Sequence, residues 1–214
     1  MFIRARTEEQ FNERRQEIIH ATQLLYQQYS FREINFSKIS EKTKIARSTI
    51  YNYYLNKEEI FLDIILDHFM NIKKGIEENL LEVKLDRADL VDKITKILMD
   101  NYELLVLISL YIEQIEYTCS QEKLNDFKLR IKDLNEALIK MAKFQFPDAS
   151  EKAIQYFVQA FYSALHGIAP ACSPFKKQKI AMEKAGIYVK FEKKEFISFY
   201  INTILSCLYD KTNL

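Results

Sequence analysis

Apolar residues recur at helical spacing along nearly the whole chain, and strict alternation is nowhere sustained, so the pattern predicts an all-α fold. The clearest stretch carries Ile60, Phe61, Ile64, Ile65, Phe69, Ile72 and Ile76, and predicts a helix from Lys57 to about Leu81 that is long enough to link two modules. Further helices are expected over about 87–101, 102–118, 121–146 and 150–167, the third ending before Pro147. Residues 170–194 interrupt the pattern with Pro170, Pro174 and Gly186. Within that break Ser173-Pro174 reads as an N-cap and first helical residue and Gly186 as a stop, giving one short helix. A last helix spans about 194–209. Counting the short N-terminal helices, nine or ten are expected.

Residues 34–61 differ in grain. Phe36, Ile39 and Ile45 bracket a very short amphipathic helix, and Ile50 and Tyr54 stand i, i+4 apart on one face of the next. Two short helices that pack crosswise follow from this spacing. Asn35 fits the N-cap of the first, because its side chain can accept from the free N–H groups of the turn that starts at Phe36. A break at Lys44-Ile45-Ala46 leaves Arg47, Ser48, Thr49, Tyr51, Asn52 and Tyr53 on or beside the outward surface of the second. These side chains offer hydrogen bonds and ring contacts to base edges and phosphates, and a short exposed helix fits the major groove. Asn56-Lys57-Glu58-Glu59 has the spacing of a capping box at the start of the long helix. The helix N-terminus and the Lys57 ammonium together predict a phosphate site beside the reading helix.

This segment resembles the helix-turn-helix of the tetracycline-repressor (TetR/AcrR) family of transcription factors. Arg14-Arg15 followed by Ile18, Ile19, Ala21, Leu24, Leu25 and Tyr26 is similar to the family's first helix, Ile39-Ser40-Glu41-Lys42 to its second, 45–54 to its third, and Lys57-Glu58-Glu59-Ile60-Phe61 to the start of its fourth. The resemblance covers about the first 65 residues. It implies an N-terminal three-helix DNA-binding domain over 1–58 and a C-terminal helical effector and dimerisation domain over 59–214. It also implies that Ser37, Arg47, Ser48, Thr49, Tyr51 and Tyr53 face bases or their flanking phosphates, with Lys57 on the backbone. The chain departs from the family pattern at Ser30, Lys44 and Ser48, where glycine is usual, and at Tyr53-Tyr54, where histidine and phenylalanine are. A lysine in a left-handed turn costs about 1 kcal/mol relative to glycine, which Lys44 offsets if its ammonium reaches a phosphate. Tyr54 adds a hydroxyl to a residue expected in the core.

Charge sharpens the division of labour. Residues 1–57 carry 10 Lys/Arg against 6 Asp/Glu, whereas the remainder carries 21 against 24, so the net +1 conceals a basic end on a mildly acidic body. A double-stranded DNA partner for that end alone fits this asymmetry.

In the rear half, apolar residues of 101–117 surround the predicted helix, which reads as burial on all sides. Two accounts stand: tight packing, or the apolar effector pocket that the family resemblance implies. Candidate pocket residues are Tyr102, Glu113, Tyr117, Phe127, Gln159, Phe161 and His166, and the implied ligand is a small hydrophobic effector. His166, near a helix end, also suits a carbonyl-capping role. Ala153, Ala160, Ala164 and Gly167, with Phe157 beside them, form a small-residue stripe, and Phe196, Phe199, Tyr200, Ile204, Cys207 and Leu208 form a stripe on the last helix. Two such helices from each subunit predict a four-helix homodimer interface, which requires a two-fold axis and hence a palindromic operator.

Cys119, Cys172 and Cys207 are widely spaced, with no C-x-x-C or Cys/His cluster, so neither a metal site, a disulfide framework nor a cofactor is expected. Cys119 and Cys207 read as core residues, while Cys172 would be redox-active only if Lys176 or Lys177 stabilised its thiolate. The sequence lacks a glycine-rich phosphate loop and a nucleophile elbow, which argues against an enzyme. A charged N-terminus and a longest apolar run of Leu104 to Ile112 predict no signal peptide, no membrane partner and a cytoplasmic location. The expected function is a dimeric repressor that an effector releases from its operator by moving the two reading helices out of register with successive major grooves about 34 Å apart. A regulator of the same fold that answers to a protein partner is the alternative.

Overall fold

The computed structural model describes residues 7–209; residues 1–6 and 210–214, the outer ends of the two expected domains, lie outside the described residues. Ten α-helices and no strand are present among the described residues. They are α1 (Glu8–Tyr26), α2 (Phe36–Thr43), α3 (Arg47–Ile50), α4 (Lys57–Leu80), α5 (Arg87–Asp100), α6 (Tyr102–Thr118), α7 (Gln121–Gln145), α8 (Glu151–Cys172), α9 (Lys176–Lys184) and α10 (Lys193–Tyr209).

The chain forms two compact units, and their boundaries fall inside helices. The first comprises Met1–Asp67 with Glu113–Lys128, the second His68–Ile112 with Leu129–Leu214. The first unit is thus larger than a 1–58 module. It takes in the opening turns of α4 and the hairpin formed by the end of α6 and the start of α7.

Within the first unit, α1 starts at an N-cap Thr7 that accepts from the Gln10 amide, and buries Ile18, Ile19, Ala21, Thr22 and Leu25. Helix α2 packs on α1 and on α3. The Asn35 carboxamide oxygen accepts from the amides of Ser37 and Lys38 at 3.0 and 3.1 Å, as its cap position predicts. Ile39, Ile45, Ile50 and Tyr54 are all buried, together with Phe31, Ile34 and Phe36.

In the second unit, α10 packs on α8 and α5. Ile197, Ile201, Leu205 and Leu208 of α10 face this core, as do Ile154, Phe157, Phe161, Ala164, Leu165 and Ile168 of α8. Helix α8 does not stop before Pro170 but runs through it to Cys172. Pro170 lies in the last turn, so only one helical N–H is lost, and the Ser173 amide closes the end on the Ala169 carbonyl at 2.9 Å. Helix α9 takes Phe175 as its N-cap residue rather than Ser173, and makes no side-chain cap. Gly186 does end it. At φ 69° it stands in a Schellman arrangement, with its amide on the Glu183 carbonyl and the Ile187 amide on that of Met182.

Candidate nucleic-acid interface

Helix α3 is a single turn, Arg47–Ile50, extended through Tyr54 by turns in which the amides of Tyr51, Asn52, Tyr53 and Tyr54 bond carbonyls three or four residues back. The regular helix is therefore shorter than 45–54. It is held from beneath by Ile45, Ile50 and Tyr54, which leaves Lys44, Arg47, Ser48, Tyr51 and Asn52 exposed and Ser37, Thr49, Tyr53 and Lys57 half-buried.

Lys44 is the one non-glycine residue with positive φ among the described residues, at φ 58°, ψ 14°. The turn is fastened by the Thr43 hydroxyl, which donates to the Ile39 carbonyl and accepts from the Ile45 amide. Ser30, a second site of family glycine, is not strained. Its amide and hydroxyl both donate to the Glu33 carboxylate, which they hold below the usual carboxylate range.

Two of the outward aromatics are positioned by other rings. Tyr51, 52% exposed, sets its ring against Phe36 edge-on, with centroids 4.8 Å apart. Tyr53 lies flat on Phe11 of α1, with centroids 4.4 Å and planes 26° apart. Phe11 was invisible as a site residue in the sequence, because nothing local marks a contact across some forty positions.

Lys57, expected to meet a phosphate, has partners within the chain. Its ammonium donates to the Phe31 carbonyl at 2.6 Å and lies 4.5 Å from the Phe31 ring centroid, where burial lowers its pKa. It ties the loop before α2 to the start of α4. The Asn56 side chain caps α4 by accepting from the Glu59 amide at 3.0 Å. Glu59 does not complete the capping box on Asn56 but accepts from the Leu55 amide and, on its other oxygen, from the Ser120 hydroxyl.

One turn further along α4, Asp63 is buried among three donors. Arg15 reaches its Oδ2 with both Nε and Nη2, Tyr54 donates to the same oxygen at 2.7 Å, and the Lys123 ammonium lies 2.6 Å from Oδ1. The Tyr54 hydroxyl, and the extra proton donor it brings to the family's phenylalanine position, thus has a defined partner. Asp63 and Glu59 together fasten the α6–α7 hairpin to the turns that follow α3.

The rear candidates fall in both units. Glu113, Tyr117 and Phe127 belong to the first unit, and Tyr102, Gln159, Phe161 and His166 to the second. Glu113, Gln159 and His166 are exposed and Tyr117 is 91% exposed, so none of the four lines an enclosed cavity; Phe127 and Phe161 are core. His166 faces its own helix, 3.0 Å from the Tyr162 carbonyl, and the half-buried Tyr102 places its hydroxyl 3.4 Å from that of Ser173. Nor is α6 buried on all sides. Leu104, Leu105, Leu107 and Ile108 are enclosed while Leu110 is exposed, because apolar content alone does not say which face meets a neighbour.

Sequence patterns missed the polar atoms that the second core leaves unsatisfied: the Tyr162 hydroxyl, Thr95 Oγ1 and Asn135 Oδ1 are buried without a hydrogen-bond partner. Burial pushes Tyr162 up to about 12, so it is a neutral donor. An open groove of about 620 Å³ between α4 and α5 is lined by charged and amide side chains such as Lys74, Glu78, Asp89 and Asp100, and is unsuited to an apolar molecule.

The expected interface residues also divide. Ala153, Phe157 and Ala164 are buried within the protomer, since α10 already covers their face of α8. The outward face of α8 instead carries Tyr156, Gln159, half-buried Ala160, Ser163 and Gly167. On α10, Phe199 is 64% exposed and Phe196, Tyr200 and Ile204 are half-buried, opposite the core stripe. Cys172 gains nothing from Lys176 or Lys177: burial raises its thiol pKa, opposed only by Lys193. Among the described residues no helix is long and apolar enough to cross a membrane, and no cluster of side chains could hold a metal ion.

The family described as tetracyclin repressor-like, C-terminal domain, matches residues 67–191. No curated protein matches the chain. Among solved structures, the fatty acid degradation regulator FadR of Bacillus halodurans superimposes with a TM-score of 0.57 at 15% identity, covering 94% of this chain and 97% of that one. The N-terminal resemblance and the C-terminal match thus fall on different parts of the same chain.

Proposed function

We propose, from the premise that the chain belongs to the tetracycline repressor-like family of transcription regulators, that it is a cytoplasmic dimeric repressor that a small hydrophobic effector releases from a palindromic operator. The observation that carries this reading is the exposed face of α3, where Arg47, Ser48, Tyr51 and Asn52 stand clear of a turn whose inner side is locked into the core. Such a face presents a guanidinium, hydroxyls and an amide to base edges, while Lys44, on the turn before it, meets a phosphate.

The second unit supports the remaining parts. The outward stripe of Tyr156, half-buried Ala160, Ser163 and Gly167 on α8, with exposed Phe199 and half-buried Phe196, Tyr200 and Ile204 on α10, suits a self-complementary patch about a two-fold axis. The buried, unpartnered hydroxyl of Tyr162 is a group that a polar atom of an otherwise apolar ligand would satisfy. Phe69 and Phe161 present ring edges to Tyr162, with centroids 6.2 Å away in each case.

Release follows if the effector prefers a conformation in which the α6–α7 hairpin draws Glu59 and Asp63, and the reading turn with them, away from the groove-spanning register. The test is selection of bound duplexes from a random pool, followed by release titrations with fatty acyl compounds, cationic dyes and aromatic antimicrobials. Enrichment of an inverted repeat, and its release by one of these classes, is expected. Enrichment of no sequence contradicts the reading.

A further inference from the structure

Residues 173–194 join α8 to α10, yet contribute nothing to the core. Helix α9 buries none of its residues. Phe175 and Ile187 are each 64% exposed and Val189 56%, with Ile180 and Phe191 also exposed. So many large apolar side chains on one short segment are unusual on a surface that meets only water.

The segment is nonetheless well formed. The Schellman turn at Gly186 leads the irregular stretch 187–192 away from α9, and the Lys179 ammonium lies 5.1 Å from the Tyr188 ring centroid. Its root is fixed to its own protomer: Lys193 lies over the Tyr102 ring, Lys194 pairs with Asp92 at 3.2 Å, and Phe191 packs on Phe196. A surface that is shaped in advance loses little entropy on docking.

Charge narrows the occupant to an acidic surface. Residues 173–194 hold seven lysines against Glu183 and Glu192, a net +5, whereas the rest of residues 58–214 holds 14 Lys/Arg against 22 Asp/Glu, a net −8. The arm is therefore repelled by itself and attracted by the body of its own kind. It is also continuous at both ends with α8 and α10, whose outward stripes form the proposed dimer interface, so a partner that covers those stripes meets the arm's root.

We infer that residues 173–194 are an arm that docks, through its apolar side chains and lysines, on the acidic helical body of a second copy of this chain. The inference rests on the dimeric reading above and adds to it an exchange of arms between subunits.

The test mixes full-length chains grown on light and heavy nitrogen, lets the subunits exchange, and couples lysines to carboxylates with a zero-length reagent before peptide mass analysis. Mixed-isotope links from Lys176, Lys177, Lys179 or Lys184 to carboxylates of the helical body are expected, and a K176E/K177E/K179E variant should lose them and dissociate at least tenfold more readily. Sedimentation velocity run in parallel separates the two claims. A monomer at micromolar concentration overturns the dimer and the arm with it. A dimer whose arm lysines link only within their own chain overturns the arm alone, as does an arm whose protection from protease requires anionic vesicles or DNA.

Discussion

The Tyr54 hydroxyl donates to Asp63 Oδ2 at 2.7 Å, on the same oxygen that receives both guanidinium bonds of Arg15. A residue at the end of the reading turn is thereby joined to α1 and α4 at once, and through Lys123 on the other carboxylate oxygen to α7. Removing the hydroxyl alone leaves Asp63 with two cations. Tyr54→Phe should therefore cost about 1 kcal/mol, whereas Asp63→Ala, which strands two partly buried charges, should cost about 3 kcal/mol. Urea unfolding measures both, and equal losses would contradict the ranking.

Tyr162 tests the unsatisfied core and the alkaline limb of stability together. Its folded pKa is raised to about 12 by burial, against about 10 in the unfolded chain. Stability is therefore independent of this group's ionisation below about pH 10 and falls as pH rises towards about 12, because only the unfolded chain releases the proton in that window. Tyr162→Phe should flatten the fall in stability between these values, and at neutral pH it should leave the free protein as stable or up to about 1 kcal/mol more stable, since a buried unpartnered hydroxyl is removed. Effector affinity should drop. An unchanged alkaline slope in denaturation series would contradict the burial argument.

Lys44 sets local strain against DNA contact. Lys44→Gly should stabilise the fold by up to about 1 kcal/mol, because glycine tolerates the left-handed conformation. The same change should lower the slope of log affinity against log salt by about 1 if the ammonium neutralises a phosphate. Thermal unfolding and salt-dependent anisotropy read the two effects separately. A stabilised variant with an unchanged salt slope would leave Lys44 without a DNA role.

The dimer surface is tested by substitutions on the outward faces of α8 and α10 set against one on the inward face of α8. Ala160→Glu and Phe199→Ser alter the outward faces of α8 and α10 and should give folded monomers with weakened operator binding. Ala164→Glu instead places a charge in the protomer core and should prevent folding, at a cost of several kcal/mol. Circular dichroism and sedimentation velocity distinguish the cases. A folded Ala164→Glu monomer would contradict the assignment of faces.

What the sequence made legible follows a physical line. Asn35, Lys44 and Gly186 act within three or four residues of themselves, so their cap and turn roles are written in the local pattern. The buried stripe of Ile39, Ile45, Ile50 and Tyr54 is equally local. Contacts across the chain left no such mark: Lys57 on the Phe31 carbonyl, Phe11 on Tyr53, and Lys123 on Asp63. Orientation was the other loss. A helix as apolar as α6 has no polar face to report which side meets solvent, and on α8 the alanine stripe identified a close approach without saying that α10 of the same chain makes it. Pro170 interrupts the apolar pattern, yet in a last turn its ring removes a single bond and the helix runs on to Cys172.

The central claim is that the outward side chains of α3 read duplex DNA, and the most direct measurement is anisotropy of the selected duplex with wild-type, Arg47→Ala and Tyr51→Ala proteins. Both variants should keep the wild-type fold and weaken specific binding by about 1–3 kcal/mol while leaving affinity for unrelated duplex far less changed. Wild-type affinity in both variants, or equal binding of selected and unrelated duplexes by the unaltered protein, would contradict it.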